Sequence, residues 1–115
     1  IDHRLLLEKL QYYCLSDSLI MLFKSYLTER KQFVMFNGLK SSEYVAVSGV
    51  PQGSNLGPLL FDIFINDIDG AVGQNCLLYA DDLKIFQRIE VESDCLQLLS
   101  SLNRLDNWCA RNNCH

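Results

Sequence analysis

The chain's 115 residues and 13.2 kDa suit one domain or one piece of a larger one. Apolar residues at 49% and charged residues at 21% exclude wholesale disorder, a collagen-like repeat and a disulfide-dense scaffold. A net charge of −4 with a pI near 5.0 lacks the basic excess that marks most nucleic-acid-binding domains.

In chain order, Asp2 is placed to N-cap a first helix carrying Leu5, Leu6, Leu7, Leu10 and Tyr13. Ser16 and Asp17 offer a cap for a second, whose Leu19, Ile20, Leu22, Phe23, Tyr26 and Leu27 cover one broad face. Two β-rich runs follow, residues 32–36 and 43–47, and Asn37-Gly38 between them signals a hairpin. Arg30 and Lys31 at its entrance read as a solvated edge. Residues 48–55 form a loop by composition. It enters a strongly apolar helix with Leu56, Leu59, Leu60, Ile63 and Phe64 on one face and Phe61 and Ile65 on the other, a pattern that predicts deep burial. Asn55 or Ser54 can cap that helix, and Pro58 falls in its first turn. Residues 76–80 and 83–86 are short β-like runs split only by Asp81-Asp82, a hairpin with both carboxylates at or beside its tip. A last amphipathic helix, from about Ser93 to Trp108, repeats Leu98, Leu102, Leu105 and Cys109. The mixture predicts an α+β fold, with helices packed on a small antiparallel sheet.

Charge divides unevenly along this order. Residues 1–58 hold 6 basic and 5 acidic side chains, a net of +1, whereas residues 59–115 hold 4 and 9, a net of −5. The 5 cysteines are odd in number and lack a C-x-x-C pair. Cys14, Cys76 and Cys95 fall in apolar segments and read as small buried hydrophobes in a reducing, intracellular compartment. Cys109, Cys114 and His115 resemble half a zinc site, but no second Cys/His pair completes it. No apolar run approaches the roughly 20 residues of a bilayer span. Ile1-Asp2-His3-Arg4 shows neither a start Met nor a signal-peptide pattern, and the chain reads as a fragment.

Two features have chemical potential. Adjacent carboxylates are costly to crowd without a cation, yet Asp also favours tight turns, so Asp81-Asp82 alone reads equally as a Mg²⁺ platform or as turn chemistry. The Gly-rich loop at 49–55 leads into a helix N-terminus suited to anions, but it fits neither a Walker loop nor G-x-G-x-x-G. Taken alone it is a tight connection. Nucleophilic triads are absent, with His3 and His115 both terminal and Ser48 and Ser54 outside any nucleophile elbow. Tyr12, Tyr13, Tyr44 and Trp108 could stack on bases but read first as core.

Together and in order the motifs are specific. Gly49-Val-Pro-Gln-Gly-Ser-Asn-Leu-Gly-Pro-Leu-Leu-Phe61, then Asn66-Asp67-Ile68, then Leu78-Tyr79-Ala80-Asp81-Asp82 closely resemble the palm domain of reverse transcriptases, with the non-LTR (LINE-type) retrotransposon branch the nearest. The opening Asp2-His3-Arg4-Leu-Leu-Leu-Glu-Lys-Leu10 resembles the stretch after that family's first catalytic motif, and residues 96–108 resemble the helix leading to its fourth. The resemblance covers essentially the whole chain. It implies a partial palm, residues 1–115, with a small antiparallel sheet and a metal-binding hairpin packed against helices.

It further implies an RNA-directed DNA polymerase that extends a primer 3′-hydroxyl with dNTPs on an RNA template, using two Mg²⁺ ions for which Mn²⁺ can substitute. Asp81 and Asp82 would be the catalytic metal ligands, with Tyr79 and Ala80 beside the primer end. Pro51, Gln52 and Gly53 would meet the template and the incoming nucleotide, and the 32–47 hairpin would lie near nucleic acid. The family's first catalytic Asp belongs upstream of Ile1, and Asp2 does not occupy its place in the pattern. The fourth-motif Lys, the thumb and the endonuclease also lie outside the 115 residues, so the isolated chain is expected to be inactive. A nuclear location follows by the same resemblance, with no membrane partner. Two readings compete: a polymerase-derived module that only binds nucleic acid or protein, and a Mg²⁺-dependent phosphotransferase on an unrelated fold, which leaves Pro51-Gln52-Gly53 unexplained.

Overall fold

The computed structural model describes residues 1–73 and 75–114, so His115 of the imagined zinc half-site lies outside the described residues. The chain divides into two compact units, Ile1–Phe64 and Ile65–His115. Among the described residues, no helix is long and apolar enough to cross a membrane.

The first unit opens with α1 (His3–Tyr12) and α2 (Asp17–Leu27). Asp2 caps α1 as the sequence predicts, its Oδ1 accepting the Leu5 N–H at 3.0 Å. Leu6 and Leu10 are fully buried, whereas Tyr13 falls just past the helix end and is exposed. Cys14 follows at φ 56, turning the chain into α2. On α2 the buried stripe is narrower than the predicted face: Phe23 and Leu27 are buried, while Leu19 and Leu22 are exposed. A helix packed along one side covers only one stripe of its surface, and α1 packs on α2.

Next, β1 (Lys31–Gln32), β2 (Met35–Phe36), β3 (Leu39–Lys40) and β4 (Tyr44–Val45) form one hairpin interrupted midway. β1 pairs with β4 and β2 with β3, both antiparallel. Two residues separate β1 from β2 but three separate β3 from β4, and this extra residue breaks the ladder as a bulge does. Ser41 bridges the gap, its Oγ accepting the Val34 N–H at 2.9 Å. Asn37 and Gly38, at φ 47 and 77, make the tip, with both central residues left-handed as a type I′ turn requires. The sequence-predicted runs therefore pair at their ends, and Leu39-Lys40 joins them as a strand.

α3 (Gly57–Ile65) buries Leu60 and Phe64, half-buries Phe61, Ile63 and Ile65 and leaves Leu59 exposed, so the predicted deep burial holds for part of the apolar set only. Its last turn is tied to α1: Lys9 Nζ donates to the Phe64 carbonyl at 2.6 Å and lies 4.7 Å from that ring's centroid.

The second unit contains α4 (Ile68–Val72), β5 (Cys76–Tyr79), β6 (Asp82–Ile85) and α5 (Glu92–Arg111). Its core is Ile68, Val72 and Trp108, with Ser101 and Asn112 buried among them. α5 packs on α4. The packed face is centred on Ser101 and Trp108, rotated partly off the predicted Leu98-Leu102-Leu105-Cys109 repeat, of which Leu102 is exposed and the other three are half-buried. Polar anchors fix this rotation. Arg104 donates from Nε and Nη2 to the Val72 carbonyl at 3.0 and 2.8 Å, and Trp108 Nε1 donates to Asp67 Oδ1 at 3.1 Å. Cys14 and Cys95 are exposed and Cys76 is half-buried, contrary to the buried-thiol reading: Cys14 follows a helix end, and Cys95 sits on the outer side of α5.

Candidate active site

β5 and β6 pair in register: Cys76 opposite Ile85, Leu77 opposite Lys84, Leu78 opposite Leu83 and Tyr79 opposite Asp82. The two-residue turn is thus Ala80-Asp81, one residue earlier than an Asp81-Asp82 tip. Asp81 sits in the turn, and Asp82 closes the ladder beside it. Directly opposed residues share a face, so Tyr79, Asp82, Leu77 and Lys84 line one side of the ribbon and Cys76, Leu78, Leu83 and Ile85 the other. Leu83 and Ile85 are half-buried on the strand that meets α5, whereas Tyr79 and Leu77 are exposed. The hairpin is anchored by one face and presents Asp82 and Tyr79 on the open one.

Ala80 takes φ 51, a left-handed conformation that costs a residue with a Cβ about 1–2 kcal/mol. That strain is concentrated next to the carboxylate pair. Asp81 and Asp82 are both exposed and offer hard oxygen donors. Among the described residues, no group of three or more His, Cys, Asp or Glu side chains converges on one point. Two carboxylates suit Mg²⁺, which is commonly held by one or two such groups while water and substrate phosphates complete its shell.

The other predicted site residues lie in the first unit, in the loop entering α3. Gly49 takes φ 84 and Gly53 φ 73, conformations that only glycine adopts without strain. Pro51, Gln52 and Gly53 border an open groove of about 250 Å³ floored by Pro58 and Phe61. Ser54 ties the loop to the helix, its Oγ donating to the Pro51 carbonyl at 2.6 Å and accepting the Gly57 N–H at 3.1 Å. A Cβ on Gly57 would sit 3.0 Å from both the Pro51 oxygen and Ser54 Oγ, tighter than ordinary contact, so glycine lets the loop approach α3 this closely without displacing either atom. Gly57 was readable in outline, as a glycine beside a first-turn proline. His3, which also grips this loop, carried no sequence signal, being a lone histidine near a terminus. Pro51, Gln52 and Gly53 are brought together in one unit, and Tyr79, Ala80, Asp81 and Asp82 in the other.

Residues 1–115 match the reverse transcriptase (RNA-dependent DNA polymerase) family, and the chain belongs to it. It is 35% identical over 96 residues to the probable RNA-directed DNA polymerase from transposon X-element of Drosophila melanogaster, covering 78% of this chain and 11% of that protein. With the RNA-directed DNA polymerase from mobile element jockey of Drosophila funebris it shares 34% over 108 residues, covering 84% of this chain and 12% of that one. The probable RNA-directed DNA polymerase from transposon BS of Drosophila melanogaster is 35% identical over 97 residues, covering 76% of this chain and 11% of that protein. The chain therefore spans about a tenth of the length of the curated relatives it matches. No solved structure matches it.

Proposed function

We propose that the chain is part of the palm of an RNA-directed DNA polymerase from a non-LTR retrotransposon, acting on an RNA template, a DNA primer and dNTPs. The observation that carries this reading is the Tyr79-Ala80-Asp81-Asp82 hairpin tip, which holds adjacent exposed carboxylates on a chain matched to the family end to end. Asp81 and Asp82 would hold divalent metal, Mg²⁺ or Mn²⁺. When bound, such ions neutralise the triphosphate and favour ionisation of the primer hydroxyl. The chain's own contribution is positional. The anchored ribbon fixes both carboxylates, and Tyr79, on the same face as Asp82, supplies an aromatic surface for the primer terminus. The groove beside Pro51, Gln52 and Gly53 offers backbone and an apolar floor to a base pair forming next to it.

Two ions need more protein carboxylates than this tip supplies, so the 115 residues alone should be inactive. The deciding experiment extends the chain on both sides to polymerase length and measures dNTP incorporation on a primed RNA template. Asp81→Asn should lower incorporation by more than roughly 100-fold, beyond what loss of an outer-shell partner costs. Activity surviving that change removes Asp81 from the mechanism.

A further inference from the structure

His3 stands in the first turn of α1, 46 residues from the loop, yet its Nε2 lies 2.7 Å from the Gly49 carbonyl oxygen. A carbonyl can only accept, so Nε2 carries the proton and donates. The opposite polar group of the same residue is held as well, because the Gly49 N–H donates to the Ile1 carbonyl at 2.8 Å. Between them Asp2 and Ser48 form an isolated antiparallel bridge. Asp2 also caps α1, so the residues that grip Gly49 belong to a fixed helix start and not to a loose end. Downstream, Ser54 and Gly57 fasten the loop to α3. Between these fixings lie Val50, Pro51, Gln52 and Gly53, with Gln52 and Gly53 exposed.

We propose that His3 is a positioning residue: its hydrogen bond to Gly49 sets the conformation in which the Pro51-Gln52-Gly53 loop meets its nucleotide. The nucleotide part rests on the function proposed above; the latch itself does not.

The test therefore has two arms. In the purified 115-residue chain, amide hydrogen exchange is followed for residues 49–54 and for α5 as an internal reference. His3→Ala should speed exchange in the loop by about tenfold, the scale of one lost, partly buried hydrogen bond, and leave α5 unchanged. His3→Gln retains an N–H donor and should restore protection. Loop exchange unaltered in His3→Ala overturns the proposal, and so does a His3→Gln variant that behaves like alanine. In the polymerase-length chain, His3→Ala should raise KM for dNTP about tenfold with kcat nearly unchanged, and His3→Gln should reverse this. A loosened loop with an unaltered KM overturns the positioning role while leaving the Asp81 result standing. If the polymerase-length parent incorporates no dNTP, the proposed function fails, and the exchange comparison alone decides whether His3 is the latch.

Discussion

Cys76 begins β5 with its Sγ 3.1 Å from Asp69 Oδ1. The thiol donates to the carboxylate, and ionising it would forfeit that bond; partial burial and the nearby negative charge push the same way, so its pKa is raised above the ordinary 9.0. Thiolate is the nucleophile, so at pH 8 Cys76 should be alkylated by iodoacetamide more slowly than the exposed Cys14 and Cys95. Asp69→Asn should accelerate Cys76 alone, measured by peptide mass spectrometry; an unchanged rate would clear Asp69 of the effect. At this scale the sequence was a mixed guide. Asp2 was legible as a cap because Asp before an apolar periodic run has a strong local signature. The hydrogen-bonding partners of Cys76 and His3 were not, since each lies on a different element of the fold.

α5 shows how an element can be found correctly and its packed face only approximately. Hydrophobic periodicity located the helix and selected the Leu98-Leu102-Leu105-Cys109 repeat, of which all but Leu102 are half-buried, while the buried line runs beside it through Ser101 and Trp108. Two polar side chains favour that offset, Arg104 on the last carbonyl of α4 and Trp108 on Asp67, and apolar spacing contains no information about either. The β5–β6 hairpin departed by a single residue, because the turn accepts Ala80 at a positive φ that composition would assign to Gly or Asn. The start of α5 depends on a charge. Asp94 accepts the N–H groups of Glu90 and Val91 at 2.8 and 3.0 Å, bonds that hold its pKa below the ordinary carboxylate value of 3.8. A depressed folded-state pKa means stabilisation that is complete above the unfolded value and disappears as pH falls through the folded one. Thermal melts followed by circular dichroism should therefore show Asp94→Ala less stable than the parent at pH 7, with the two converging in strong acid. A gap that persists at acid pH would mean that packing, not the ionised cap, is what the substitution removes.

Across the whole molecule, the buried apolar set is small beside the apolar side chains left open. Met35, Phe36 and Leu39 at one hairpin tip, Leu77 and Tyr79 on the other ribbon, and Leu96 and Leu99 on α5 are all exposed. The predicted single antiparallel sheet appears as separate two-stranded ladders among the described residues, each with unpaired edges. Open edges and apolar patches favour association between copies. Light scattering from the purified chain should rise steeply with concentration and fall on adding mild non-ionic detergent. A monodisperse concentrated sample with one cooperative melting transition would contradict this. The family was legible because its motifs are contiguous in sequence. The loose surface was not, since it depends on which apolar residues find a partner.

The junction of Ile1, Asp2 and His3 with Ser48 and Gly49 also has a consequence during synthesis. At about 5–20 residues per second, a ribosome needs roughly 2–9 s to make the 46 residues separating His3 from Gly49. For that interval α1 and α2 can form as a local pair, but the groups destined for Gly49 have nothing to hold. The nascent first unit thus passes through an open helical hairpin that closes only when the loop emerges. Substitutions at Gly49 or His3 would lengthen that exposure and act on the yield of folded protein before they act on any reaction.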